Sequence, residues 1–167
     1  AGTLAVVGRA VGARRPDVAS QTAAATLVFA LLVGVVVAVV GVASAPAIAA
    51  LMSGSDSAST PIQAPAVTYM TIVFASSPLV FVAHAGTVAL QAAGDTRTPM
   101  RVGALAGLVN FVVSAVLLFG LVGAPELGIL GAALGTVTAF LVQAALICAA
   151  LAARMSPGIA RGPGEDH

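Results

Sequence analysis

Lysine and tryptophan are absent from this sequence, cysteine occurs once, and charged residues make up only 8% of the 167 positions. Soluble domains carry roughly 25% charged residues, so a water-soluble fold is excluded first. Seven arginines against six acids leave a net charge of +1. That is too little basic surface to track a phosphate backbone, which excludes nucleic acid as a partner. The lone Cys148 allows neither an intrachain disulfide nor a cysteine metal cluster. No metal and no cofactor are expected. Aromatic residues are scarce as well, at 4%. What fills the chain instead is Ala, Val, Leu and Gly: 59% of residues are hydrophobic and the mean hydropathy is +1.08. This is the composition of closely packed membrane helices.

The thirteen charges divide the chain into spans. Between Asp17 and Asp56 lie 38 uncharged residues, between Asp56 and Asp95 another 38, between Arg101 and Glu126 another 24, and between Glu126 and Arg154 another 27. Each run exceeds the roughly 20 residues that cross about 30 Å of hydrocarbon. An all-α integral membrane fold follows, with four full transmembrane helices at about 22–45, 66–90, 101–122 and 127–153. Residues 1–8 are apolar but too short to span, and read as the end of a fifth helix; the chain reads as a fragment of a longer protein. Residues 156–167, rich in Gly and Pro, read as a disordered tail.

Arginine placement supports an even number of crossings. Arg9, Arg14, Arg15, Arg97, Arg101, Arg154 and Arg161 all fall on one side of a four-span layout, and the opposite loops hold only Asp56 and Glu126. Cytoplasmic loops carry the arginine excess, so 9–16, 95–100 and the C-terminal tail are assigned to the cytoplasm. Gly94-Asp95-Thr96 is a turn signal, Thr98 is placed to cap the third span through its hydroxyl, and Pro99 fits its first turn.

Polar groups inside the spans are few. His84 is the one ionisable residue there; it either relays protons or contacts substrate, or bonds a neighbouring helix or the interface. Asn110 and Ser114 stack at i and i+4 on the third span, where they line a polar cavity, help hold a cation, or cross-link helices. Thr136, Thr138 and Gln143 form a looser set on the fourth, with packing favoured for Thr138. Pro78 predicts a kink in the second span, relieved by Ser76 and Ser77. The spacings Gly103/Gly107 and Gly131/Gly135 predict close helix approach. Catalysis is not expected: no second acid accompanies Asp95 inside a span, and no nucleophile elbow, H-E-x-x-H, Walker A or G-x-G-x-x-G occurs.

The segment LQAAGDTRTPM at 90–100, then Asn110, then LLFGLVGAPELGILGAALGT at 117–136, resembles the multidrug and toxic compound extrusion (MATE) transporters, of the DinF-like bacterial branch. The opening GRAVGARRPDVASQ at 8–21 is similar to that family's cytoplasmic loop after its second helix, with Gly8, Arg9, Gly12, Ala13 and Ala19 in matching roles. The resemblance implies the end of helix 2 and helices 3 to 6 of a six-helix lobe, within a twelve-helix transporter of the bacterial inner membrane. It implies export of cationic or amphipathic, drug-like small molecules in exchange for H⁺ or Na⁺ by alternating access, with the lipid bilayer and the remaining helices as partners. The loop motif Gly94, Asp95, Thr96, Arg97, Thr98 and Pro99 carries over, Asn110 matches the family's helix-5 Asn, and Thr136 matches a helix-6 Thr. Ser114 stands where the family pattern has an Asp, and a hydroxyl does not titrate near neutral pH. Two alternatives stand beside this reading: a lipid-linked precursor flippase of the same superfamily, and a small membrane subunit with no transport of its own.

Overall fold

In the computed structural model residues 16–53 and 63–155 are described, with side-chain surroundings for 21–52 and 64–154. Readings that fall on 1–15, 54–62 and 156–167, among them the end of a fifth helix, the polar external loop and the disordered tail, lie outside the described residues. Every regular element described is helical: α1 Pro16–Ser53, α2 Gln63–Ala75, α3 Ser77–Ala92, α4 Arg97–Phe119, a 3-10 turn Leu121–Gly123, and α5 Ile129–Met155. Among the described residues three helices are long and apolar enough to cross a membrane, and α2 with α3, bent by 41° at their break, make a fourth if they form one span.

Helix α1 is longer than the 22–45 stretch, because it continues through Pro46 to Ser53. Pro46 lacks the N–H that would serve the carbonyl of Val42. The helix persists because Ala45 and Ala49, one turn apart beside the proline, are 0% and 2% exposed. Packing of that face outweighs the missing bond, an effect that local propensity does not contain.

The bend before Pro78 is held by its own chain. Ser76 Oγ donates to Val73 O at 2.7 Å, and the Ser76 N–H is shared between Ile72 O at 3.2 Å and Val73 O at 3.1 Å. Past the break, Leu79 N–H returns to Ser76 O at 3.0 Å. Ser76 and Ser77 are buried here, and α1 passes so close that a Cβ on Gly34 would sit 2.6 Å from Pro78 Cα. That contact is backbone on backbone and has no side chain to yield. Gly34→Val is therefore expected to push α1 off α3, at about 1–3 kcal/mol typical of overpacking. Thermal unfolding in detergent checks it, with Ala25→Val at an exposed position of the same helix as the comparison.

In space α5 packs against α4, α3 and α2, and α1 packs on the far side of α2 and α3. The buried cluster joins Ala23 of α1, Ala89 and Leu90 of α3, Val102 of α4, and Ile147 and Leu151 of α5. It sits at the end of the bundle that carries Asp95 and Arg154. Elsewhere the spans are thinly covered, with 11–22% of each spanning window buried. Apolar residues such as Phe29, Val36, Leu108 and Phe111 lie exposed, a surface suited to lipid or to further helices.

Candidate functional site

Asn110 and Ser114 face one another one turn apart on α4. The Ser114 hydroxyl donates to Asn110 Oδ1 at 2.9 Å, and both residues are half-buried. Gly135 of α5 lies directly opposite: a Cβ there would overlap Ser114 Oγ and come within 2.8 Å of Ser114 N. One turn earlier, a Cβ on Gly131 would meet the Leu117 and Leu118 backbone. The serine hydroxyl thus fills the notch that Gly135 leaves, and from that notch it fixes the asparagine carbonyl. That bond uses the Asn110 carbonyl and leaves the amide N–H₂ as a neutral donor that does not titrate. The two glycine spacings behave differently. Gly131 and Gly135 form a backbone crossing, whereas Gly103 and Gly107 meet nothing within 4 Å among the described residues.

Thr136 follows Gly135, but its hydroxyl donates to its own helix at Ala132 O, 3.0 Å. Thr138 does the same to Leu134 O at 2.8 Å. Gln143 is half-buried seven residues beyond Thr136, on the same face and about 10 Å along the axis. Among the described residues no hydrogen bond joins Thr136 or Gln143 to the Asn110–Ser114 pair. The structure brings together two of the four cavity candidates and leaves the others on the neighbouring helix.

His84 projects from the exposed side of α3. Its Nδ1 lies 3.0 Å from Val80 O, and since a carbonyl only accepts, the hydrogen bond there runs from Nδ1–H to the helix's own backbone. Thr87 and Gln91 follow at i+3 and i+7, half-buried and exposed. These three make a polar stripe on one face of an otherwise apolar helix. Sequence reasoning singled out His84 and missed its two companions, although the heptad spacing was there to be read.

The loop motif closes the other end of α4. Gly94 turns the chain at φ 85°, a conformation suited to glycine. The Asp95 carboxylate then accepts from Arg97 N at 3.1 Å and Thr98 N at 3.0 Å, and takes Arg154 on its other oxygen at 2.6 Å. The helix accordingly starts at Arg97 and is capped by Asp95, where the sequence pointed to Thr98. A carboxylate is the stronger acceptor and complements the helix N-terminus. Pro99 is buried in the first turn. Hydrogen bonds from the Thr98 hydroxyl and backbone, then Arg154 and the Arg97 N–H, hold Asp95 below the usual carboxylate range against some desolvation. A lowered folded pKa stabilises above the unfolded value of about 3.9 and is lost as pH falls through the folded one. The contribution of Asp95 should thus be unchanged between pH 7 and 5, seen as equal thermal-midpoint differences between wild type and Asp95→Asn at both.

An open apolar crevice of about 400 Å³ lies between Ala64, Pro65 and Thr68 of α2 and Leu127, Ile129 and Leu130 at the start of α5. None of the candidate polar residues lines it.

Apolar helices of spanning length that carry a few polar residues and pack through glycines are the architecture of a polytopic membrane protein. The MatE family model matches residues 1–116, more than two thirds of the chain, and the chain belongs to that family of MATE transporters. It is 30% identical over 156 residues to the "Probable multidrug resistance protein YoeA" of Bacillus subtilis, covering 93% of this chain and 33% of that protein. It is 27% identical to the "Probable multidrug resistance protein NorM" of Thermotoga maritima, over 87% of this chain and 31% of that one. A shorter stretch of 78 residues, 47% of the chain, is 35% identical to 17% of a FAD transporter of Shewanella oneidensis. Among solved structures, an inward-facing multidrug resistance MATE family transporter of the MOP superfamily superposes with a TM-score of 0.73 at 25% identity. That match covers 88% of this chain and 32% of the other. The chain spans about a third of the length of these relatives.

Proposed function

We propose that this chain forms part of one six-helix lobe of a twelve-helix secondary exporter in the bacterial inner membrane, of the DinF-like branch. The exporter moves cationic or amphipathic compounds, chemically unchanged, in exchange for H⁺ or Na⁺ by alternating access. The observation that carries this reading is the pair of polar faces within apolar helices. Asn110–Ser114 and the His84–Thr87–Gln91 stripe are uneconomic against hydrocarbon, and intramembrane polar groups face a bundle interior or a water-filled cavity. Thr136 and Gln143 on α5 are further candidates for the wall of that path, although the Thr136 hydroxyl is taken up by its own helix at Ala132 O. Ser114 cannot take a proton, so coupling through this lobe falls to His84 or to residues outside the chain.

The likeness to a FAD transporter raises an anionic cargo, and a lipid-linked precursor flippase raises a pyrophosphate. Both call for a cation within the path. Among the described residues Arg97, Arg101 and Arg154 stand at helix ends, which favours the cationic or amphipathic cargo. The complete protein in proteoliposomes tests the reading. A fluorescent cationic dye should be exported under an imposed proton or sodium gradient and not without one. Export confined to anions moves the assignment to the other cargo class, and no export of any dye favours the subunit without transport.

A further inference from the structure

The Asp95–Arg154 pair joins positions 59 residues apart, across the cytoplasmic ends of three helices. We propose that this pair is an intralobe clasp, which stays closed through the transport cycle and makes α3, α4 and α5 one rigid body. Because it concerns a cycle, the clasp rests on the exporter reading above. Three observations fix it. The Asp95 side chain is 8% exposed, although it is a carboxylate in a connecting turn. Its other oxygen caps α4 at Arg97 N and Thr98 N, so the side chain cannot swing to a different partner without uncapping that helix. Directly beneath lies the buried cluster: Asp95 N–H bonds Leu90 O at 2.9 Å, Leu151 lies one turn before Arg154, and Val102 one turn after Thr98. At the far end of the same helices Gly131 and Gly135 lock α5 to α4. Helices α4 and α5, tied at both ends around a packed core, do not part, and α3 is held to them at the Asp95 end, where a Cβ on Gly86 would overlap Ile147, so the moving boundary of alternating access lies outside this trio.

The test separates the charge from the cap. Asp95→Asn keeps an acceptor for the helix N-terminus and loses the ion pair, and Arg154→Gln removes the partner alone. In the complete protein with Cys148→Ala, a reporter cysteine placed at Ala89 or, independently, at Leu151 reads opening by its reaction with a water-soluble maleimide. With the pair intact, labelling should be slow and the same at rest and during turnover. Each charge variant should speed it by about threefold, the order expected for one ion pair whose arginine is half exposed, with the double variant no faster than the faster single. Labelling of the intact pair that rises during turnover would show a gate and overturn the clasp, as would equal rates in all four proteins. If the protein moves no substrate under either gradient, the exporter reading falls, and the four labelling rates still decide whether the pair holds the helices together.

Discussion

Gly135→Val is expected to break the α4–α5 crossing and to give a protein that reaches the membrane poorly or melts well below wild type. The added atoms have nowhere to go: the first of them overlaps Ser114 Oγ, and the Ser114 N and Cα atoms behind it belong to a helix backbone. Removing the hydroxyl alone does not make room, so Gly135→Val with Ser114→Ala should remain defective. Overpacking of this kind costs about 1–3 kcal/mol where neighbours yield, and more where the neighbour is backbone. Gly107→Ala supplies the contrast. Its Cβ meets nothing within 4 Å among the described residues, so the packing described here predicts little change in melting. Detergent melting curves for the two variants side by side check both statements.

Asn110→Ala is expected to do the opposite: to leave the fold intact and remove function. The deleted amide strands only the Ser114 hydroxyl, and the carbonyl of residue 110, four positions back on the same helix, can take its place as acceptor. Thr136 and Thr138 already bond their own helix in this way. Stability should thus hold to within about 1 kcal/mol, the net worth of one hydrogen bond. Export loses the amide donors that the structure fixes through Ser114 and Gly135. A lost hydrogen bond to the cargo costs about 0.5–1.5 kcal/mol, so the export rate at low dye concentration should fall by up to about tenfold. Equal melting curves with unequal flux would locate the effect in the site; unchanged flux would remove Asn110 from the path.

The all-helical class and the three to four candidate spans were legible because charges are so costly in hydrocarbon that the gaps between them mark the helices. The bend near Pro78 was legible for an equally local reason, the missing N–H. What the sequence could not show depends on partners far along the chain. Gly103/Gly107 and Gly131/Gly135 look alike as spacings, yet among the described residues only the second pair meets a helix, because it faces Ser114 and Leu117. Asp95 finds Arg154 across 59 positions, and neither residue announces the other. Helix α1 runs through Pro46 on the strength of Ala45 and Ala49, whose burial comes from neighbouring helices. At the site, Asn110 and Ser114 were visible as an i, i+4 pair. The stripe through Thr87 and Gln91 leaves no mark on the charge pattern, because both residues are uncharged and lie within the run between Asp56 and Asp95.

That face carries the central claim, that polar groups exposed within the spans of this chain line an aqueous pathway. Labelling of His84→Cys by a water-soluble, membrane-impermeant maleimide, in the complete protein with Cys148→Ala, tests it most directly. Val36→Cys, on an exposed apolar face of α1, serves as the lipid-side reference. The account predicts that position 84 reacts readily, that position 36 does not, and that an exported dye slows the reaction at 84. A cysteine at 84 as inert as the one at 36, with or without dye, would place the stripe against lipid or another helix and contradict the account.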